Sequence, residues 1–175
     1  MTIFLCGFMG CGKTTVGKVL SRMLRIPLID TDEAIVESEG MSIPEIFEEK
    51  GEPYFRKVEA ETVRSLCSKT AVAACGGGAM LNADTAAAAK NAGASVVYLD
   101  QSFDTCYERI KDDTNRPIVQ KNTKEQLREI FDGRSGVYRS NATHILPVSS
   151  EDSPEAIAMK ITELLGIAMP GKVQK

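Results

Sequence analysis

Lys13 and Thr14 stand directly behind a glycine-rich turn. Gly7, Gly12, Lys13 and Thr14 fill the spacing Gly-x-x-x-x-Gly-Lys-Thr, with Gly10 and Cys11 inside it and Thr15 after it. Glycines let successive backbone N–H groups turn toward one anion. A helix beginning behind them would aim the positive end of its dipole at the same point. Lys13 adds a full charge for the β- and γ-phosphates, and the Thr14 hydroxyl can ligate Mg²⁺. These residue types in this order predict a site for a nucleotide polyphosphate and its metal. The bland alternative is a plain glycine turn.

Five further stretches carry candidate chemistry. Asp30-Thr31-Asp32 offers two carboxylates. Asp30 would hold Mg²⁺ through water, because Mg²⁺ keeps much of its hydration shell. Asp32 would take or orient the hydroxyl proton of an acceptor. Helix capping is the competing account of both. Arg56 and Arg139 each suit a bidentate grip on a carboxylate, set against the ordinary solvated surface arginine. Gly76-Gly77-Gly78 predicts a backbone that something approaches closely, or else a tight strand exit. Arg116, in Asn115-Arg116-Pro117, could close over a transferring phosphate. His144 is the only histidine, and it reads as structural.

These residues need elements to hold them. Apolar β-type runs are expected at Ile3–Cys6, Pro27–Ile29, Ala71–Cys75, Ser95–Leu99 and Thr143–Leu146. Helical spacing follows each: Val16 to Leu24, Tyr54–Ser68, Ala83–Ala92, Phe103 to Ile110, Lys124–Tyr138, and Ile157 to Leu165. Ser42 with Glu45 predicts a capping box for a shorter helix. Residues 111–122 are polar and non-periodic and are expected to be a mobile lid loop. Alternation of strand and helix implies a three-layer α/β/α fold around a parallel sheet. Ligands of such sheets bind at the carboxyl ends of the strands. The glycine turn, the aspartates, the triple glycine and the region after Leu99 all follow predicted strands, so they converge on one rim.

The whole chain sets outer bounds. Its 175 residues suggest one domain, here expected over residues 1–168, with 169–175 a frayed tail. A net charge of −3 gives no electrostatic case for nucleic acid or an anionic membrane. No apolar run is long enough for a transmembrane helix, and the N-terminus lacks the basic leader of a signal peptide. The five cysteines have neither metal-like nor Cys-x-x-Cys spacing and read as reduced thiols of a cytoplasmic protein. Cys11 is either an oxidisable thiol or simply a small residue that fits its loop.

Taken together, the set Gly10-Cys11-Gly12-Lys13-Thr14-Thr15, Asp30-Thr31-Asp32, Phe55-Arg56, Gly76-Gly77-Gly78, Arg116-Pro117 and Tyr138-Arg139 resembles the shikimate kinases in order and approximate spacing, from about residue 3 to 148. The resemblance implies a nucleoside monophosphate kinase-like P-loop fold with a five-stranded sheet in order 2-3-1-4-5. It implies transfer of the γ-phosphoryl of ATP to the 3-hydroxyl of shikimate, with Mg²⁺, by a monomer. By the same resemblance Gly10 to Thr15 wrap the ATP phosphates, and Arg116 reaches them from the lid. Arg109 stacks on adenine. Asp30 serves the metal, and Asp32 contacts the acceptor hydroxyls. Arg56 and Arg139 hold the acceptor carboxylate beside Gly77 and Gly78, with an acceptor-binding segment at about 31–60. Two departures stand out: Cys11 occupies a position where serine or alanine is common, and Val148-Ser149-Ser150 carries no adenine motif. Other readings are a kinase for another small hydroxy acid such as gluconate, a nucleotide-binding switch, or an inactive relative. The switch would need a guanine-specifying Asn-Lys-x-Asp, which the sequence lacks.

Overall fold

A computed structural model describes residues 1–114 and 116–168. The expected frayed tail, 169–175, and Asn115 of the lid motif lie outside the described residues. Five strands, β1 (Thr2–Cys6), β2 (Leu28–Asp30), β3 (Ala71–Ala74), β4 (Ser95–Gln101) and β5 (His144–Val148), form one sheet in the order β2-β3-β1-β4-β5. Every neighbouring pair is parallel. The connections run through α1 (Lys13–Leu24), α2 (Thr31–Glu39), α3 (Ile43–Glu49), α4 (Gly51–Leu66), α5 (Ala83–Asn91), α6 (Phe103–Ile110), α7 (Pro117–Gln120) and α8 (Lys124–Asn141), and α9 (Pro154–Leu164) follows the last strand.

A strand's side chains alternate between the two faces of its sheet. Ile3, Leu5, Val72, Val97 and Leu99 join the core under α1, α6 and α9. Phe4, Cys6, Ala73, Cys75, Val96 and Tyr98 join the core on the opposite face, which also takes Val63 of α4 and Tyr138 of α8. This covering of both faces explains why β1 reads as an unbroken apolar run. A third, small cluster of Ile35, Ile46, Phe55 and Val58 ties α2, α3 and α4 together away from the sheet.

Several boundaries differ from the sequence reading for identifiable reasons. Strand β5 continues through Pro147 to Val148. It is an edge strand, so the missing proline N–H deprives no neighbour of a bond. Helix α4 begins at Gly51, and its Pro53 falls in the first turn, where no intrahelical N–H bond is lost. Helix α2 is built directly on the Asp30 cap and was not expected. The segment 111–122 is not wholly a loop. It contains α7, with Pro117 at its start and Val119 buried in the main core.

Candidate active site

The phosphate loop is shaped by its glycines. Gly10 has φ +80°, and a Cβ there would lie 2.6 Å from the Cys106 carbonyl oxygen, so a larger residue would push the loop off α6. Gly12, at φ +101°, caps α1 with no side chain over the first turn. The N-terminal N–H groups of α1 are therefore open to a ligand. Lys13 Nζ donates to the carbonyls of Gly7 (2.9 Å) and Phe8 (3.0 Å), with Cys11 Sγ at 3.8 Å. Arg109 Nη1 donates to the Gly10 carbonyl at 3.0 Å, which puts it beside the loop. Thr15 lines the same cavity. The Cys6 and Cys106 thiols behind the loop are pushed up to about 12 by burial.

Asp30 has two roles at once. Its Oδ1 accepts from the Asp32 N–H at 3.0 Å and caps α2, while its Oδ2 accepts from the Thr14 hydroxyl at 3.2 Å. Capping by Oδ1 therefore leaves Oδ2 beside the Thr14 hydroxyl, so the cap does not exclude a metal role for the same carboxylate. Two hard oxygens side by side at the phosphate loop fit Mg²⁺, which takes few protein ligands and completes its shell with phosphate and water. Asp32 projects from the first turn of α2. Burial first, and Asp30 second, hold its carboxyl above the ordinary range, against the pull of Lys13, Arg116 and Arg56. Lys13, Thr14, Asp30, Asp32, Arg109 and Arg116 line one cavity of about 530 Å³, which extends to Asp152 and to Pro154 at the start of α9. Arg116 Nε is held by Asp113 Oδ2 at 2.7 Å on its rim.

The triple glycine sits where three side chains converge. A Cβ on Gly76 would collide with the Asp32 carboxylate, and one on Gly78 with the Arg56 guanidinium. The Cβ position of Gly77 lies 3.8 Å from Arg134 Nη1. The Gly76 N–H donates to Thr31 Oγ1 at 2.8 Å, and Tyr138 donates its hydroxyl to the Gly77 carbonyl at 2.5 Å. Arg56 is clamped by Glu59 (2.8 Å), a buried carboxylate, and by the exposed Glu52 (3.1 Å). Burial raises the Glu59 carboxyl, while Arg56 draws it down.

The structure does not bring Arg139 to this cluster. Its Nη2 pairs with Asp100 Oδ2 at 2.5 Å at the end of β4, and its side chain is 54% exposed. Residues five apart on a helix point about 140° apart, so Arg134 and Arg139 cannot face one site together. Arg134 and Glu59 are the residues that sequence reasoning missed. The available signal was the spacing Arg134-x-x-x-Tyr138, which places the guanidinium and the phenol on one helix face.

A parallel sheet in this order, a phosphate loop between β1 and α1, and acidic and basic groups on the same rim define a P-loop kinase. Two solved deoxyadenosine kinase structures from M. mycoides share that fold at TM-scores of 0.63 and 0.62 with 15% identity. The family model for shikimate kinase matches residues 9–166. A shikimate kinase of Aquifex aeolicus (strain VF5) is 40% identical over 98% of this chain and 100% of its own. That of Streptococcus gordonii is 40% identical over 90% of this chain and 96% of its own. The solved shikimate kinase from Acinetobacter baumannii in complex with shikimate superposes at TM-score 0.85, with 36% identity over 94% of this chain and 92% of that one. This chain belongs to the shikimate kinase family.

Proposed function

We propose that this protein transfers the γ-phosphoryl group of MgATP to the 3-hydroxyl of shikimate, giving ADP and shikimate 3-phosphate. The observation that carries the reading is the position of Asp32. It lies between the phosphate loop on one side and the Arg56–glycine–Arg134 cluster on the other. In this reading Gly10 to Thr15 cradle the phosphates, with Lys13 leaving the loop carbonyls for the β- and γ-oxygens. Thr14 and Asp30 would hold Mg²⁺, which would offset the charge of the phosphates. Asp32 receives the acceptor's hydroxyl proton as that oxygen attacks phosphorus, and ADP departs. Its raised carboxyl makes it a better proton acceptor than an ordinary aspartate. Arg116 exchanges Asp113 for the transferring phosphoryl group, and Arg109 covers the adenine.

Arg56 and Arg134 grip the acceptor carboxylate over Gly77 and Gly78. Arg134 takes the place given to Arg139 in the sequence reading, because it shares the glycine cluster and Arg139 does not. A cytoplasmic monomer is the proposed working form. The five cysteines are free, and among the described residues no helix is long and apolar enough to cross a membrane. The test is ADP release with MgATP, with and without shikimate, beside quinate and gluconate. Shikimate-dependent release is expected. Release with gluconate alone would keep the kinase and discard the acceptor.

A further inference from the structure

The segment after β3 is stitched to its surroundings at three points. Thr31 accepts from the Gly76 N–H, Tyr138 donates to the Gly77 carbonyl, and Asn141 Nδ2 donates to the Met80 carbonyl at 2.9 Å. The first and last fix the ends of the turn. The middle contact is the only one of these three on the Gly77–Gly78 peptide. Two adjacent glycines leave that peptide free to rotate as a unit, since neither has a Cβ to restrict its dihedrals.

We propose that Tyr138 is a positioning residue of the acceptor site: its phenol fixes the Gly77–Gly78 peptide so that the Gly78 N–H faces the cleft. A trans peptide is planar, with C=O and N–H pointing opposite ways. The Gly77 carbonyl points at the phenol of α8. The Gly78 N–H therefore points away from the phenol, beside Arg56, whose guanidinium fills the space that a Cβ on Gly78 would need. Tyr138 is suited to the task. It is fully buried and stacks on Tyr98 of β4 with ring centroids 5.5 Å apart. Burial pushes its hydroxyl well above the ordinary tyrosine value, so it stays a donor at any working pH. Arg134, one turn earlier on the same face, lies close enough for its charge to oppose that shift. One helix face thus holds the peptide and supplies a guanidinium beside it.

The proposal rests on the reading of this cluster as the shikimate site. Tyr138→Phe keeps the ring packing and removes only the hydroxyl. The KM for shikimate is expected to rise about 5- to 20-fold, with kcat within about twofold and the KM for MgATP unchanged. A fall in Tm with both KM values unchanged would reduce Tyr138 to a structural role and overturn the proposal, as would an equal rise in both. Glycine-¹⁵N NMR of the unsubstituted protein gives a second test that survives a variant that does not fold. The Gly78 amide should shift on adding shikimate, and an unmoved Gly78 amide would overturn the proposal. Absence of shikimate-dependent ADP release by the unsubstituted enzyme would instead unseat the function itself.

Discussion

Burial and the neighbouring Asp30 hold the Asp32 carboxyl above the ordinary range even though Lys13, Arg116 and Arg56 face it. Unfolding returns it to its ordinary value. A group whose folded-state pKa is raised supports the fold fully while it is protonated, below its unfolded pKa. That support is lost as pH rises through the folded pKa. Ionising Asp32 in the folded protein therefore costs stability. Asp32→Asn should lower kcat by at least about 100-fold, the usual scale for losing a general base. It should also raise Tm at pH 7, and that gain should vanish below the ordinary carboxylate range. Thermal melts of both proteins between about pH 3 and 8 read the sign directly. A less stable asparagine variant at pH 7 would mean that the three cations outweigh burial.

The two arginines of α8 give a second test at this scale. Arg134→Ala should raise the KM for shikimate roughly 10- to 100-fold, the cost of a charged carboxylate contact. Arg139→Ala removes an exposed pair with Asp100, and such pairs contribute about 0–1 kcal/mol. Its KM should stay within about twofold. The reverse result would restore Arg139 to the site.

At the scale of elements, what could be read from sequence was what depends on local pattern. The phosphate loop is legible because glycine spacing, lysine and a following helix are all contiguous. The strand order came from the family resemblance, since alternation gives parallel strands but not their sequence in the sheet. Arg134 was missed because helix rotation relative to the sheet is a tertiary fact, fixed here by Tyr138 and Asn141 reaching the glycine turn. Helix α2 was missed because its nine residues carry a weak apolar stripe, with Thr31 and Ile35 buried, and it begins without a break from β2. Thr31 shows how that join matters. Its buried hydroxyl accepts the Gly76 N–H and so links α2, which carries Asp32, to the turn after β3. Thr31→Val keeps the shape and orphans a buried donor, which costs about 1–3 kcal/mol. A Tm drop of several degrees is expected, with a rise in shikimate KM because the turn loosens. An unchanged Tm would show that the Gly76 N–H finds another partner.

For the whole molecule, the nucleotide cavity gathers Lys13, Arg109 and Arg116 but also Asp30, Asp32, Asp113 and Asp152. Its cations are already engaged: Lys13 by loop carbonyls, Arg109 by the Gly10 carbonyl, Arg116 by Asp113. A polyphosphate entering without metal would meet Asp30 and Asp32 unscreened at close range. ATP should therefore bind much more weakly in EDTA than with Mg²⁺, and the Tm gained from ATP should largely disappear. In the proposed reaction Arg116 leaves Asp113 for the phosphates, so binding would also have to move it. It precedes α7, whose Val119 is anchored in the main core and whose Val119 and Gln120 N–H groups donate to the Arg116 carbonyl at 2.9 and 3.1 Å. Closure should then be local. Hydrogen exchange on adding MgATP should slow most in peptides covering residues 111–116 and change little across 118–121. Equal slowing along 111–122 would mean that α7 itself moves as part of the lid. No slowing anywhere in that range would remove Arg116 from the phosphate site.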